Sequence, residues 1–305
     1  MVYSNSYYYS FIVDKLLYNY FIRIPREFVI RIAKNNKVLY QLGMLFPEIR
    51  KSNEWNEISK RRYAQVEELI KFNELANKLG FKYAVVKTFR FPGYVPDDID
   101  ILVHPDSRHS IWDFISLLVE RYGYFIRSRG TTEMTIRKKL CGTYVDFDIH
   151  TNLAAGPYIY LDARLVFDNL ITIKLKQENI PTVHQKLEFV ICAAHSIMKE
   201  FELTLADILT FLYLYSPMNE TEILRTAKQV GLTNAVSSFC RLSQIIVKNL
   251  LQGKTINLPY RIPLYFILHA YVENISYRAK FHGFKPIMDL LSFPRARGIK
   301  KLIKI

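Results

Sequence analysis

Val95-Pro96-Asp97-Asp98-Ile99-Asp100-Ile101-Leu102-Val103 is the stretch whose reading decides the fold. Side chains on a strand alternate between two faces, so Asp98 and Asp100 point one way and Ile99, Ile101 and Val103 the other. Pro96 precedes the apolar run and Pro105 follows it, as expected at the ends of a buried strand. Two adjacent carboxylates raise each other's pKa unless a cation lies between them, and a hard divalent ion such as Mg²⁺ relieves that conflict. Val145-Asp146-Phe147-Asp148-Ile149-His150 repeats the pattern. There Asp146, Asp148 and His150 share one face, and Val145, Phe147 and Ile149 share the other. A single Asp-x-Asp usually marks a solvated strand end or a turn. Strand propensity disfavours interior aspartates, so two such strands with apolar opposite faces call for a common cause, and a shared metal site supplies one.

Around these strands the hydrophobic period changes twice. Residues 1–79 read as helical: an apolar run over Phe11–Phe21, a helix opened by Pro25, a polar break at Lys51-Ser52-Asn53, and a periodic stretch from Tyr63 to Leu79 stopped by Gly80. Tyr83–Lys87 is a short strand, and 88–96 a loop with Gly93 and two prolines. A helix capped by Asp106 or Ser107 carries Ile111, Phe114, Ile115, Leu118, Val119 and Tyr122 on one face. Strands follow at Tyr124–Arg127 and Thr132–Leu140, with Gly142 at the turn into the second carboxylate strand, and a helix or strand at Leu165–Leu175. From Pro181 the helical period returns and runs to the end. Strand, loop, strand, helix and further strands predict a mixed sheet with helices packed on it, in the α+β class.

The chain has 305 residues, half of them hydrophobic, and a net charge of +14. No apolar run reaches the roughly 18 residues of a membrane span, and no basic-then-apolar leader opens the chain. Cys141, Cys192 and Cys240 are far apart, lack metal-ligand spacing and lie in apolar contexts, which predicts buried reduced thiols and a cytoplasmic setting. From Arg278 to Ile305 there are eight Lys or Arg against one Asp. Such a tail is either a solubility feature or a contact for a polyanion such as RNA.

The order of these elements resembles the polymerase-β-type nucleotidyltransferase superfamily. More narrowly, it is similar to a nucleotidyltransferase family with a Lys-Gly strand end, an Asp-x-Asp strand, an Asp-Leu-His-like strand and a helical C-terminal region. Those features stand here as Lys87-Thr88, Asp98-Ile99-Asp100, Asp148-Ile149-His150, Cys192-Ala193-Ala194-His195 and Leu205-Ala206-Asp207-Ile208-Leu209. The resemblance spans roughly residues 65–215 and implies three parts: a helical segment (1–62), a nucleotidyltransferase-like mixed-sheet core (63–180), and a C-terminal helical bundle with the basic tail (181–305). It implies a transfer of NMP from an NTP, ATP first, to a hydroxyl acceptor, with Mg²⁺ or Mn²⁺ held by Asp98, Asp100 and Asp148 as the catalytic set. Lys87, Thr88 and Arg90 would meet the nucleotide, and Asp146, His150 and Arg137 are further candidates at the site. Arg127 and Arg129 lie within the same reach. The acceptor class (protein, RNA or small molecule) is open. The superfamily's Gly-Ser strand end is absent: Thr88 offers a hydroxyl but not glycine's close backbone approach.

Between Asp146 and Asp148, the pattern match favours Asp148, with His150 beside it as an orienting partner and Asp146 nearer solvent. His195 and Asp207, polar positions in apolar helices, predict a buried His–Asp or His–backbone hydrogen bond that fixes helix packing. Two other functions fit the same motifs. One is a glycosyltransferase that holds a nucleotide sugar through Asp-x-Asp, against which the long helical start counts. The other is a binding module that keeps the fold without catalysis.

Overall fold

A computed structural model of the chain describes residues 6–22, 24, 26–215, 219–283, 285, 286 and 288. The basic tail from 289 onward, and Pro25 as a helix opener, lie outside the described residues. Helices α1 (Ser6–Phe21), α2 (Arg26–Asn35), α3 (Leu39–Leu45) and α4 (Asn53–Leu79) come first. Ser52 caps α4 by accepting the Trp55 N–H, and Gly80 closes it in the left-handed conformation. The expected polar break is therefore the start of a 27-residue helix. The boundary expected at 62/63 falls inside it.

Strands β1 (Tyr83–Val86) and β2 (Ile99–Val103) follow, then a 3₁₀ turn at Pro105–Ser110 and α5 (Ile111–Tyr122). Neither Asp106 nor Ser107 caps α5. The 3₁₀ turn intervenes, and the buried Ser107 hydroxyl instead accepts the Lys82 N–H. β3 (Phe125–Arg129), β4 (Glu133–Leu140), β5 (Thr143–His150), β6 (Leu153–Ala155), β7 (Tyr158–Leu161), α6 (Ala163–Phe167), β8 (Leu170–Leu175) and β9 (Glu178–Val183) come next. The C-terminal part holds α7 (Gln185–His195), a π turn (Ser196–Glu200), β10 (Glu202–Leu203), α8 (Leu205–Leu214), α9 (Glu220–Gln229), α10 (Thr233–Leu251), β11 (Tyr260–Arg261) and α11 (Leu264–His282).

Seven strands form one mixed sheet in the order β3-β4-β5-β2-β1-β9-β8, and the fold is α+β as expected. β2 runs antiparallel to β1 and parallel to β5. The sheet continues through Pro181, because β9 pairs with β1 and β8, so the boundary expected at 180/181 falls inside a strand. One sheet face carries Ile99, Ile101, Val103, Ile136, Phe147 and Ile149, which pack against Leu69, Phe72 and Leu75 of α4 and Phe114 and Leu118 of α5. On the opposite face Val86 and Leu102 meet a second core built from the N-terminal and C-terminal helices. The period-2 alternation of β2 and β5 thus puts their apolar side chains in one core and turns their carboxylates toward the other face.

Among the described residues no helix is long and apolar enough to cross a membrane. Cys192 is buried and Cys240 partly so, but Cys141 is exposed: it sits in the tight turn between β4 and β5, where φ is positive at both Cys141 and Gly142. Its apolar neighbours in sequence point into the sheet while the turn itself faces water.

Phe147 is fully buried and stacks on Phe72 with centroids 5.0 Å apart. Phe147→Ala should cost about 3–5 kcal/mol in urea unfolding. Phe125→Ala, on the exposed edge strand β3, should stay within about 0.5 kcal/mol of the unsubstituted protein.

Candidate metal and nucleotide site

The parallel pairing of β2 with β5 sets Asp100 directly beside Asp148, and Leu102 beside His150. Asp98 lies in the bend just before β2, one pleat from Asp100. Ligand atoms of Asp100, Asp148 and His150 all fall within 4.8 Å of one another, so these three residues form a group that can hold a metal ion. Asp98 stands outside that set of three, but it feels the same charges. Burial first, then Asp100 and Asp148, push its carboxyl up to about 8.

Asp100 is buried. Its Oδ1 takes the Lys87 ammonium at 2.5 Å and the His150 Nε2 at 2.8 Å. Burial opposes its ionisation, yet the Lys87 charge and the His150 hydrogen bond hold it well below the usual carboxylate range. Burial likewise works against the Lys87 ammonium, but Asp100 raises its pKa above that of an ordinary lysine. His150 was expected to orient Asp148. It serves Asp100 instead, and Asp148 Oδ1 accepts a hydrogen bond from the Thr135 hydroxyl at 2.6 Å, directly across the β4–β5 ladder. The Nδ1 side of His150 faces Glu133 at 3.6 Å, and Lys199 of the π turn holds Glu133 at 3.1 Å.

Asp146 has a different task. It is buried rather than near solvent, because Arg137, its cross-strand neighbour, grips it through Nε and Nη2 at 2.6 and 2.7 Å, and Arg127 adds a contact at 2.6 Å. This bidentate, charge-assisted pairing ties β3, β4 and β5 together and takes both arginines out of the pool expected for phosphate. Arg129 projects elsewhere, its guanidinium 4.2 Å over the Trp112 ring.

The strand end has its own geometry. Lys87 adopts φ +57°, a left-handed conformation that glycine reaches freely and lysine does not. The Lys87 backbone N–H moderates the raised pKa of Glu188 on α7, and Arg90 Nε donates to the Lys87 carbonyl at 3.1 Å. The Thr88 hydroxyl donates to the Val86 carbonyl at 3.1 Å. Arg90 continues to Asp207 at 3.0 Å. Asp207 forms the capping box of α8 with Thr204 and accepts from Ser196 at 3.1 Å. Neither expected His195 bond, to Asp207 or to the backbone, is seen among the described residues: Asp207 takes Arg90, His195 Nδ1 has no hydrogen-bond partner, and Nε2 lies 3.5 Å from Glu200. Thr204 and Asp207, which interrupt an apolar run in the sequence, are a helix start signal. Glu188 carried no sequence signal beyond being a charge on an apolar helix face. Burial pushes its carboxyl up to about 7.

No protein-family profile and no curated protein matches the chain. Among solved structures, an antigenic nucleotidyltransferase-like protein from Paracoccidioides brasiliensis aligns over 66% of this chain and 95% of that one, at 11% identity and a TM-score of 0.35. The reading of the site rests on its own geometry.

The raised carboxyl of Asp98 gives a signed pH effect. Its folded pKa of about 8 lies above the ordinary carboxylate value of 3.8, so its contribution to stability is complete at low pH and is lost as pH rises through 8. In EDTA, Asp98→Asn should lose less melting temperature than the unsubstituted protein between pH 5 and pH 8. At pH 8 the variant should melt roughly 2–4 °C higher. Parallel curves would show that Asp98 is not under carboxylate repulsion.

Proposed function

We propose that the protein transfers a nucleoside monophosphate from an NTP to a hydroxyl acceptor, using a divalent cation held by Asp98, Asp100 and Asp148. The observation that carries this reading is the Asp100–Asp148 register pair on parallel strands, with His150 on the same face and the carboxyl of Asp98 raised by its neighbours. Carboxylate oxygens suit Mg²⁺ or Mn²⁺, and His150, whose Nε2 is bonded to Asp100, stays outside that oxygen set. A carboxyl pushed up to about 8 by burial and then by like charges is a place where added positive charge is favoured. The donor set therefore fits the ion.

A bound cation would draw charge from the triphosphate and make the acceptor hydroxyl more acidic. The chain's own groups would do the rest. In the transfer the acceptor oxygen forms a bond to the α-phosphorus, the bond to the bridging oxygen breaks, and pyrophosphate leaves. Thr135 fixes Asp148 through Oδ1, leaving the carboxylate set to take the proton from the acceptor hydroxyl. Lys87, at the strand end, would pair with the triphosphate, with Thr88 next to it. Arg90 serves the same end indirectly, by holding the Lys87 carbonyl.

A second reading is favoured by one specific contact. Lys87 already neutralises Asp100 at 2.5 Å, as the fixed counter-ion of a non-catalytic binding module would.

Incubation with each α-labelled NTP, Mg²⁺ or Mn²⁺ and cell extract should label one class of acceptor. Asp148→Asn should abolish labelling while the labelled NTP still binds. Absence of labelling with every NTP, in protein that binds none of them, would favour the second reading.

The arginine clamp predicts a contrasting variant. Asp146→Asn should lower stability by about 1–3 kcal/mol, since two guanidiniums lose their charged partner, yet retain labelling. Loss of labelling in a folded Asp146→Asn protein would move Asp146 into the reacting set.

A further inference from the structure

We infer that Lys87 makes the carboxylate site selective for a metal–nucleotide complex over free metal. This rests on the reading of Asp100 and Asp148 as metal ligands and adds a property that reading does not contain.

Lys87 is only 4% exposed, and its ammonium sits on the same Asp100 oxygen that accepts His150. The Asp100 Oδ1 atom is already taken, so a divalent cation bound to this carboxylate would lie within a few ångströms of the ammonium. At about 4 Å two such charges repel strongly in a buried setting. A free metal is therefore opposed while Lys87 stays on Asp100. The groups around the ammonium make its displacement unfavourable. Arg90 in the following loop adds positive charge, and Lys199 from the π turn adds more. Asp100 of β2, Asp98 in the bend before it, Glu133 of β4 and Glu188 of α7 are the acidic groups that face it. Asp100 and Asp98 would both be engaged by the metal, burial drives Glu188 toward its neutral form, and Glu133 is already held by Lys199. A displaced ammonium would have to compete with Lys199 for Glu133, which is costly.

A triphosphate changes this. It supplies phosphate oxygens that can take the ammonium as the metal takes Asp100, so metal and nucleotide each raise the other's affinity. The backbone is built to keep the lysine at this point. A left-handed φ is held at a non-glycine residue by Arg90 on the carbonyl, and Arg90 is anchored in turn by Asp207. Backbone strain maintained by the surrounding structure is a feature of positions with a task. The Lys87 ammonium thus acts as a resident cation that yields its place only to a metal arriving with its own anion.

The test is Mn²⁺ binding to the full chain, followed by electron paramagnetic resonance without turnover. It compares the unsubstituted protein, Lys87→Met, Lys87→Gly and Asp148→Asn, each with and without α,β-methylene-ATP. Glycine is at ease at φ +57°, so Lys87→Gly should fold even if Lys87→Met does not. Without nucleotide, both Lys87 variants should bind Mn²⁺ about tenfold more tightly than the unsubstituted protein. The ATP analogue should raise the unsubstituted protein's Mn²⁺ affinity about tenfold, and that gain should shrink in the variants. If the unsubstituted protein binds Mn²⁺ in an Asp148-dependent way but the Lys87 variants bind no more tightly, selectivity by Lys87 is overturned and the metal site stands. Tighter binding by the variants, with an unsubstituted protein that the analogue does not open, also overturns it and marks Lys87 as a permanent counter-ion. Binding that Asp148→Asn leaves unchanged in every protein overturns the metal site itself.

Discussion

The Asp100 carboxylate receives an ammonium at 2.5 Å and an imidazole nitrogen at 2.8 Å on one oxygen, and much of the molecule is arranged to keep that buried charge in place. An unpaired carboxylate at this depth would be protonated or would destabilise the fold. Its partners come from two directions. His150 arrives by the parallel pairing of β5 with β2, so it depends on the sheet register. Lys87 arrives at the end of β1 through a backbone turn that lysine does not adopt freely, so it depends on whatever holds that turn. The holder is Arg90, on the Lys87 carbonyl, and Arg90 is fixed by the capping box of α8. The C-terminal helices thus reach the carboxylate site through a continuous chain of polar contacts rather than by packing alone.

The three aspartates around this centre show how environment divides identical groups. Asp146 meets three guanidinium nitrogens and is a cross-brace between strands. Asp148, two residues on, meets a single hydroxyl across the ladder and keeps capacity for other partners. Asp98 is raised by burial first and then by the charges of Asp100 and Asp148. The alternation that put all three on one face does not distinguish them. Their cross-strand neighbours do: an arginine opposite Asp146 and a threonine opposite Asp148.

What the sequence made legible follows from the range of the interactions involved. The faces of β2 and β5 were readable because alternation is local. The α+β class was readable from the change of period at Phe81. The preference for Asp148 over Asp146 was reached from a pattern match, and Asp146 turns out to be occupied by arginines whose role the sequence does not disclose. Sequence spacing points His150 to Asp148, two positions away on the same strand, whereas its partner in space is Asp100 on the neighbouring strand. Pro181 reads as the start of a helical region, yet β9 runs through it, since a short strand flanked by a charged turn leaves little periodic signal. Glu188, Arg90 and Asp207 are linked over separations of about a hundred residues, where one sequence offers no register to follow.

The same polar chain bears on why the site tolerates so many charges. Glu133 is neutralised by Lys199, Asp100 by Lys87, and Asp207 by Arg90. Among the described residues Asp148 has only the Thr135 hydroxyl, and Asp98 and Glu188 are the two that burial drives toward the protonated form, at about 8 and about 7. Fixed cations and bound protons therefore share the work of balancing the cluster. Asp98 and Glu188 differ in surroundings. Glu188 lies on the helix side, with the Lys87 backbone and Arg90 nearby to moderate its shift. Asp98 lies in the bend before β2, and its shift arises from burial and from Asp100 and Asp148. The proton on each of these two groups thus answers a different cause: burial against a helix for Glu188, and burial beside other carboxylates for Asp98.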